Sequence, residues 1–149
     1  MRKAAGAVTL LCVATLVGAG CGEADRSKDF REDYNRIVRQ YSSLPREVGG
    51  AIRGASGKSD KALASQFGRL ADRVRQEVQK FQKLDPPEDA ADEFDAFVAG
   101  LGKVSDDLRA ISQAGKEHNS SKAQAAARSL VRDAEQVSRK EDALKKAVD

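Results

Sequence analysis

The chain has 149 residues, a third of them charged, with 26 Lys and Arg against 23 Asp and Glu. That length suits one domain with a core of its own, and a net charge of +3 provides no basic field of the kind that captures nucleic acid. One histidine and two cysteines exclude a disulfide-built scaffold and a zinc centre made from His and Cys.

The first element is an export segment over residues 1–20. Arg2 and Lys3 supply a positive start, Ala4 to Val17 an apolar run without charge, and Gly18-Ala19-Gly20 small residues before Cys21. The stretch Leu16-Val17-Gly18-Ala19-Gly20-Cys21 resembles the processing motif of bacterial lipoproteins. In that family the cysteine thiol is acylated and the chain is cut just before it, so the resemblance implies that Cys21 is the lipid attachment site and the first residue of the mature protein. Gly18 departs from the family pattern, which has a larger apolar residue three positions before the cysteine. Two other readings stay open: cleavage after Ala19 by an ordinary signal peptidase, releasing a protein with a free thiol, or retention of the segment as an anchor. The apolar run is short against the roughly 20 residues that a spanning helix needs.

Removal of residues 1–20 changes the balance of the rest. Arg2 and Lys3 leave with the segment, so 24 basic residues face 23 acidic ones, and Cys12 leaves as well. The remaining domain is nearly neutral, has no internal disulfide and must be held by packing.

Residues 22–28 are polar and without periodicity, and read as a short tether between Cys21 and the domain. From residue 29 to 149 the pattern is helical. Phe30, Tyr34, Ile37, Tyr41, Leu44, Val48 and Ile52 form one stripe at steps of three and four, predicting a first helix over 29–53. Pro45 interrupts it, and because the stripe keeps phase on both sides the expectation is one kinked helix. Residues 54–59 read as a loop. A second helix follows over 60–84, capped by Ser59 or Asp60, with its stripe at Leu63, Phe67, Leu70, Val74, Val78 and Phe81. Pro86 and Pro87 end it.

The third helix, over 88–112, carries Phe94, Phe97, Leu101, Val104, Leu108 and Ile111 at alternating steps of three and four, the spacing of a helix packed lengthwise. Gly100 and Gly102 lower its propensity and imply close approach by a neighbour. After a loop at 114–120, a fourth helix over 121–147 shows Ala127, Leu130, Ala134, Val137, Leu144 and Val148, with Glu141 in the apolar stripe. The expected fold is an all-α, antiparallel up-and-down four-helix bundle whose first helix is kinked at Pro45. Charge sorting supports that order: residues 85–113 carry eight acids against two bases, while the helices before and after carry 6 against 3 and 8 against 6 in favour of bases.

Candidate chemistry is sparse. The only cluster that could carry chemistry is Asp85, Glu88, Asp89, Asp92, Glu93 and Asp95, in which Glu88 with Asp92 and Asp89 with Glu93, four apart, share a helix face and could offer oxygen ligands to a divalent cation. The same residues complement the dipole of a helix start, and no glycine-punctuated calcium loop surrounds them. His118 stands alone in a loop. No catalytic constellation, phosphate loop or cofactor motif is present. The chain therefore reads as a non-enzymatic, cofactor-free lipoprotein on the extracytoplasmic side of a cell membrane. It would act as a helical interaction module, with the membrane and another envelope protein as partners and nucleic acid excluded. The alternative is a binding protein for a small apolar ligand or a divalent cation.

Overall fold

The computed structural model describes residues 21–148, with side chains from Arg26 onward. The export segment at 1–20, Gly18 included, lies outside the described residues, as does the side chain of Cys21. Among the described residues every regular element is helical: α1 Cys21–Tyr41, α2 Leu44–Arg53, α3 Asp60–Phe81, a 3-10 turn at Glu88–Ala90, α4 Ala91–Lys116 and α5 Ser120–Val148. Taken as arms, α1 with α2, then α3, α4 and α5, they make the four-helix bundle that the stripes predict.

The first arm is broken rather than bent. Residues Ser42 and Ser43 form a turn between α1 and α2, and Pro45 lies in the first turn of α2. Proline has no amide to donate to the turn before it, so the ladder fails upstream of the ring and not at it. The stripe nevertheless stays in phase: Phe30, Tyr34 and Leu44 are buried, with Tyr41, Val48 and Ile52 packed partly against the core. At its start, α1 includes the residues read as a tether. Nothing between Glu23 and Lys28 breaks a helix, and Ala, Glu, Arg and Lys all favour one, so the regular backbone begins at Cys21. Arg26 in this stretch pairs with Asp85 at 2.6 Å, joining the start of α1 to the segment that follows α3.

The second and third arms follow their signals closely. Ser59 caps α3, its side chain accepting from the Ala62 amide at 3.3 Å. Leu84 to Pro87 is irregular, and Pro87, with φ −60° and ψ 152°, starts the 3-10 turn that leads into α4. Five aromatic rings from three arms, Phe30, Tyr34, Phe81, Phe94 and Phe97, meet at one end of the core with centroids 5.3 to 6.5 Å apart. Such pairs add about 0.5–1.5 kcal/mol each beyond their buried area.

The seams between arms are unequal in width. Along α3 and α4 the facing residues are small: Ser105 and Ser112 of α4 are buried and donate to the carbonyls of Ala71 and Ala64 at 3.0 and 2.7 Å. A methyl group at Gly68 would lie 3.1 Å from Ser112 Oγ, and one at Gly115 would lie 3.1 Å from the Asp60 carbonyl and 3.2 Å from Ala64 Cβ. Between α4 and α5, Gly100 serves the same purpose, a methyl there falling 3.0 Å from Val137 Cγ2. Gly102 does not, since nothing lies within 4 Å of the position its Cβ would take. On the outer face of α3 and α4, Arg75 with Asp106 and Arg109 with Asp72 form ion pairs at 2.9 Å, as the charge sorting predicts. Exposed pairs of this kind contribute about 0–1 kcal/mol each.

The two helical glycines of opposite environment provide a test. Gly102→Ala raises stability by about 0.5–1 kcal/mol through helix propensity alone. Gly115→Ala lowers it by about 1–3 kcal/mol, because a backbone carbonyl cannot withdraw from the added methyl. Urea denaturation followed by helical ellipticity measures both, and equal shifts for the two variants would contradict the seam geometry.

Candidate functional site

The seam between the first arm and α5 is wider. Tyr41, Leu44, Pro45, Val48 and Ile52 face Leu130, Val131, Ala134 and Val137 across it, with Val74 of α3 and Val104 of α4 forming the floor. Bulky side chains on α2 and the break at Ser42–Ser43 keep these backbones apart, and a half-open apolar cleft of about 480 Å³ remains. That volume lies within the range of pockets that take drug-sized molecules. Ala134, although in the apolar stripe of α5, is exposed because it borders this opening. Val131 is 49% exposed on the same lip, the only large hydrophobic side chain among the described residues to be so open.

Polar groups gather at one end. Tyr41 and Glu141 line the cleft, and Glu141, in the apolar stripe of α5, pairs with Lys145 at 2.8 Å. Tyr34 is 4% exposed and its hydroxyl has no hydrogen-bond partner. Glu77 of α3 accepts from Lys80 at 2.9 Å through Oε1, while its Oε2 is buried and unpartnered. Burial pushes the Tyr41 phenol up to about 12, with Glu141 and then Glu77 adding to the rise. The Tyr34 phenol is raised further, by burial first and by Glu141 and Tyr41 after it. Two tyrosines and two carboxylates thus influence one another electrostatically, of which Tyr41 and Glu141 line the cleft while Tyr34 and Glu77 lie outside its lining. Spacing on single helices does not reveal this grouping, because the four residues come from three arms.

The residues singled out as cation ligands lie on adjoining turns at the entry to α4. Glu88 and Asp89 occupy the 3-10 turn and Asp92 and Glu93 the first turn of α4; the first three are exposed and Glu93 is half-buried. Among the described residues no three His, Cys, Asp or Glu side chains converge on a point that could hold a metal ion. A different pair of acids does come together where α4 meets α5: Asp107, with one buried unpartnered oxygen, faces Asp133. Burial holds the Asp107 carboxyl above its ordinary value, a Ser129 hydrogen bond works against this, and Asp133 reinforces it.

His118 has a structural role that its isolation in sequence conceals. It takes φ +51° at the end of α4, where the Asn119 amide reaches back to Ala114 O at 2.9 Å and the His118 amide to Gly115 O at 3.2 Å. This is the left-handed helix stop usually made by glycine. The His118 ring lies 2.7 Å from Asp60 Oδ2 at the start of α3, and the Asn119 side chain accepts from the Lys122 amide at 3.0 Å, capping α5. Both residues serve the turn between helices and neither points to chemistry.

Comparison with protein-family models, curated proteins and solved structures finds no match for this chain. The functional reading therefore rests on the cleft and its surroundings. Among the described residues no helix is long and apolar enough to cross a membrane.

The tyrosines allow a direct check, because the chain contains only these two. Their un-ionised forms are favoured in the folded state, so this contribution is complete below the ordinary tyrosine value of about 10. It is lost as pH rises through about 12. Tyrosinate absorbance is expected to appear late and together with loss of helical ellipticity. Ionisation of either ring near pH 10 with the helices intact, an outcome expected of exposed phenols, would contradict their placement.

Proposed function

We propose that the protein is a lipoprotein anchored through Cys21 on the extracytoplasmic side of a membrane. Its bundle acts there as a non-catalytic binding module for an apolar ligand in the cleft between α2 and α5. The observation that carries the reading is the cleft itself: about 480 Å³, walled by Leu, Val and Ile side chains from all four arms. An apolar surface left open to water is unfavourable by about 25 cal/mol per Å². The gain recovered on covering it is the source of affinity for an apolar guest.

The anchoring half of the proposal rests on residues 16–21. An anchor at Cys21 would hold the domain close, because seven helical residues after that point advance only about 10 Å. A domain so attached stays at the bilayer surface, where apolar and amphiphilic molecules are concentrated. A second reading has an envelope protein insert an apolar side chain into the same cleft. Val131, exposed on the lip, favours it.

The test uses the uncharged dye N-phenyl-1-naphthylamine, which fluoresces on leaving water. Emission is expected to rise on titration into the chain. It should weaken by about tenfold, equivalent to ~1.4 kcal/mol, in Ala134→Trp, which fills the cleft from an exposed position. Unchanged dye binding in a folded Ala134→Trp variant would overturn the ligand reading. For the anchor, Cys21→Ala is expected to move the protein from the membrane to the soluble fraction, and a wild-type N-terminus without acyl mass would refute it.

A further inference from the structure

Resting on the binding role proposed for the cleft, we infer that its occupant is a cationic amphiphile, with an apolar chain between α2 and α5 and an ammonium head against Glu141 and Tyr41. The charge of the lining decides this. Among the described residues that border the cleft, the charged ones are Glu135 and Glu141, and none is basic. An anionic head group would meet two carboxylates and no basic residue within the lining, the nearby Lys145 being already paired with Glu141. An ammonium, by contrast, brings three donors and no acceptor.

The acceptors available at the head of the cleft match that pattern. Within the lining these include the Tyr41 hydroxyl and the Glu141 carboxylate, while the buried, unpartnered Tyr34 hydroxyl and Glu77 Oε2 lie outside it. Tyr41 and Glu141 line the cleft beside its apolar walls and are electrostatically coupled to each other. Lys145 engages Glu141 from the solvent side through Oε1, with its own side chain 53% exposed. Such a half-exposed pair holds its partner weakly, and a carboxylate has lone pairs for a second donor. A charge-assisted hydrogen bond from an ammonium in the drier cleft is the stronger of the two.

The test titrates the full chain with decylammonium, 1-decanol and decanoate, each below its micelle-forming concentration. Fluorescence of the two tyrosines reports binding. Decylammonium is expected to bind about tenfold or more tightly than 1-decanol, the typical worth of a hydrogen bond to a charged group, with decanoate weakest. Glu141→Gln should remove the advantage of decylammonium while leaving 1-decanol unchanged. Decanoate binding as tightly as decylammonium, or an advantage that survives in Glu141→Gln, would overturn the inference and leave the apolar cleft standing. Failure of 1-decanol to bind at all would overturn the cleft reading itself. A sedimenting dimer that blocks all three probes would assign the groove to a second copy and overturn both.

Discussion

Close approach of α4 to its neighbours is the constraint on which the rest of the structure depends. Helices come together only as far as the side chains between them allow, and α4 meets α3 and α5 through Gly100, Ser105, Ser112 and Gly115. The two serines would be costly in such a seam if their hydroxyls went unpaired. They instead donate to the α3 backbone, so the interface is narrow without burying an unsatisfied donor. The result is a three-helix unit of α3, α4 and α5 against which the first arm is laid.

That inequality produces the candidate site. The first arm contributes Tyr41, Leu44, Val48 and Ile52 at a break in its backbone, and these bulky side chains hold it away from α5. At one end the aromatic rings of Phe30 and Tyr34 bridge to Phe81, Phe94 and Phe97 and close the core. Beyond them, the bulk that would fill the gap is missing, since α5 offers Ala134 where a larger residue would complete the stripe. The cleft is thus a consequence of residue size along one seam, and its polar head a consequence of Glu141 occupying an apolar position in α5.

Much of the fold was legible in the sequence because helical periodicity and proline chemistry are local. The stripes at Phe67 to Phe81 and Phe94 to Ile111 mark buried faces directly, and Pro86 and Pro87 place a boundary that the backbone respects. Three features were less legible, for different physical reasons. Residues 22–28 lack an apolar stripe, yet lacking a stripe is not the same as lacking helix propensity, and α1 runs through them. Gly100 and Gly102 look alike in sequence, and only the position of Val137 on another arm distinguishes them. Tyr41 and Glu141 in the cleft are coupled to Tyr34 and Glu77 beyond its lining, across three arms, a long-range proximity that no single-helix pattern encodes. The acids at Glu88 to Glu93 stood out for the opposite reason: clustering along the chain is visible in sequence, while whether three side chains converge on one point in space is not.

Native-state hydrogen exchange measures the central claim, that α3, α4 and α5 form the tightly held unit and the first arm the loosely held one. Amides of α4 are expected to exchange slowest, only through global unfolding, and those of α2 and the end of α1 faster, through a smaller opening that leaves the other helices protected. Exchange of all five helices at one common opening free energy would contradict the account.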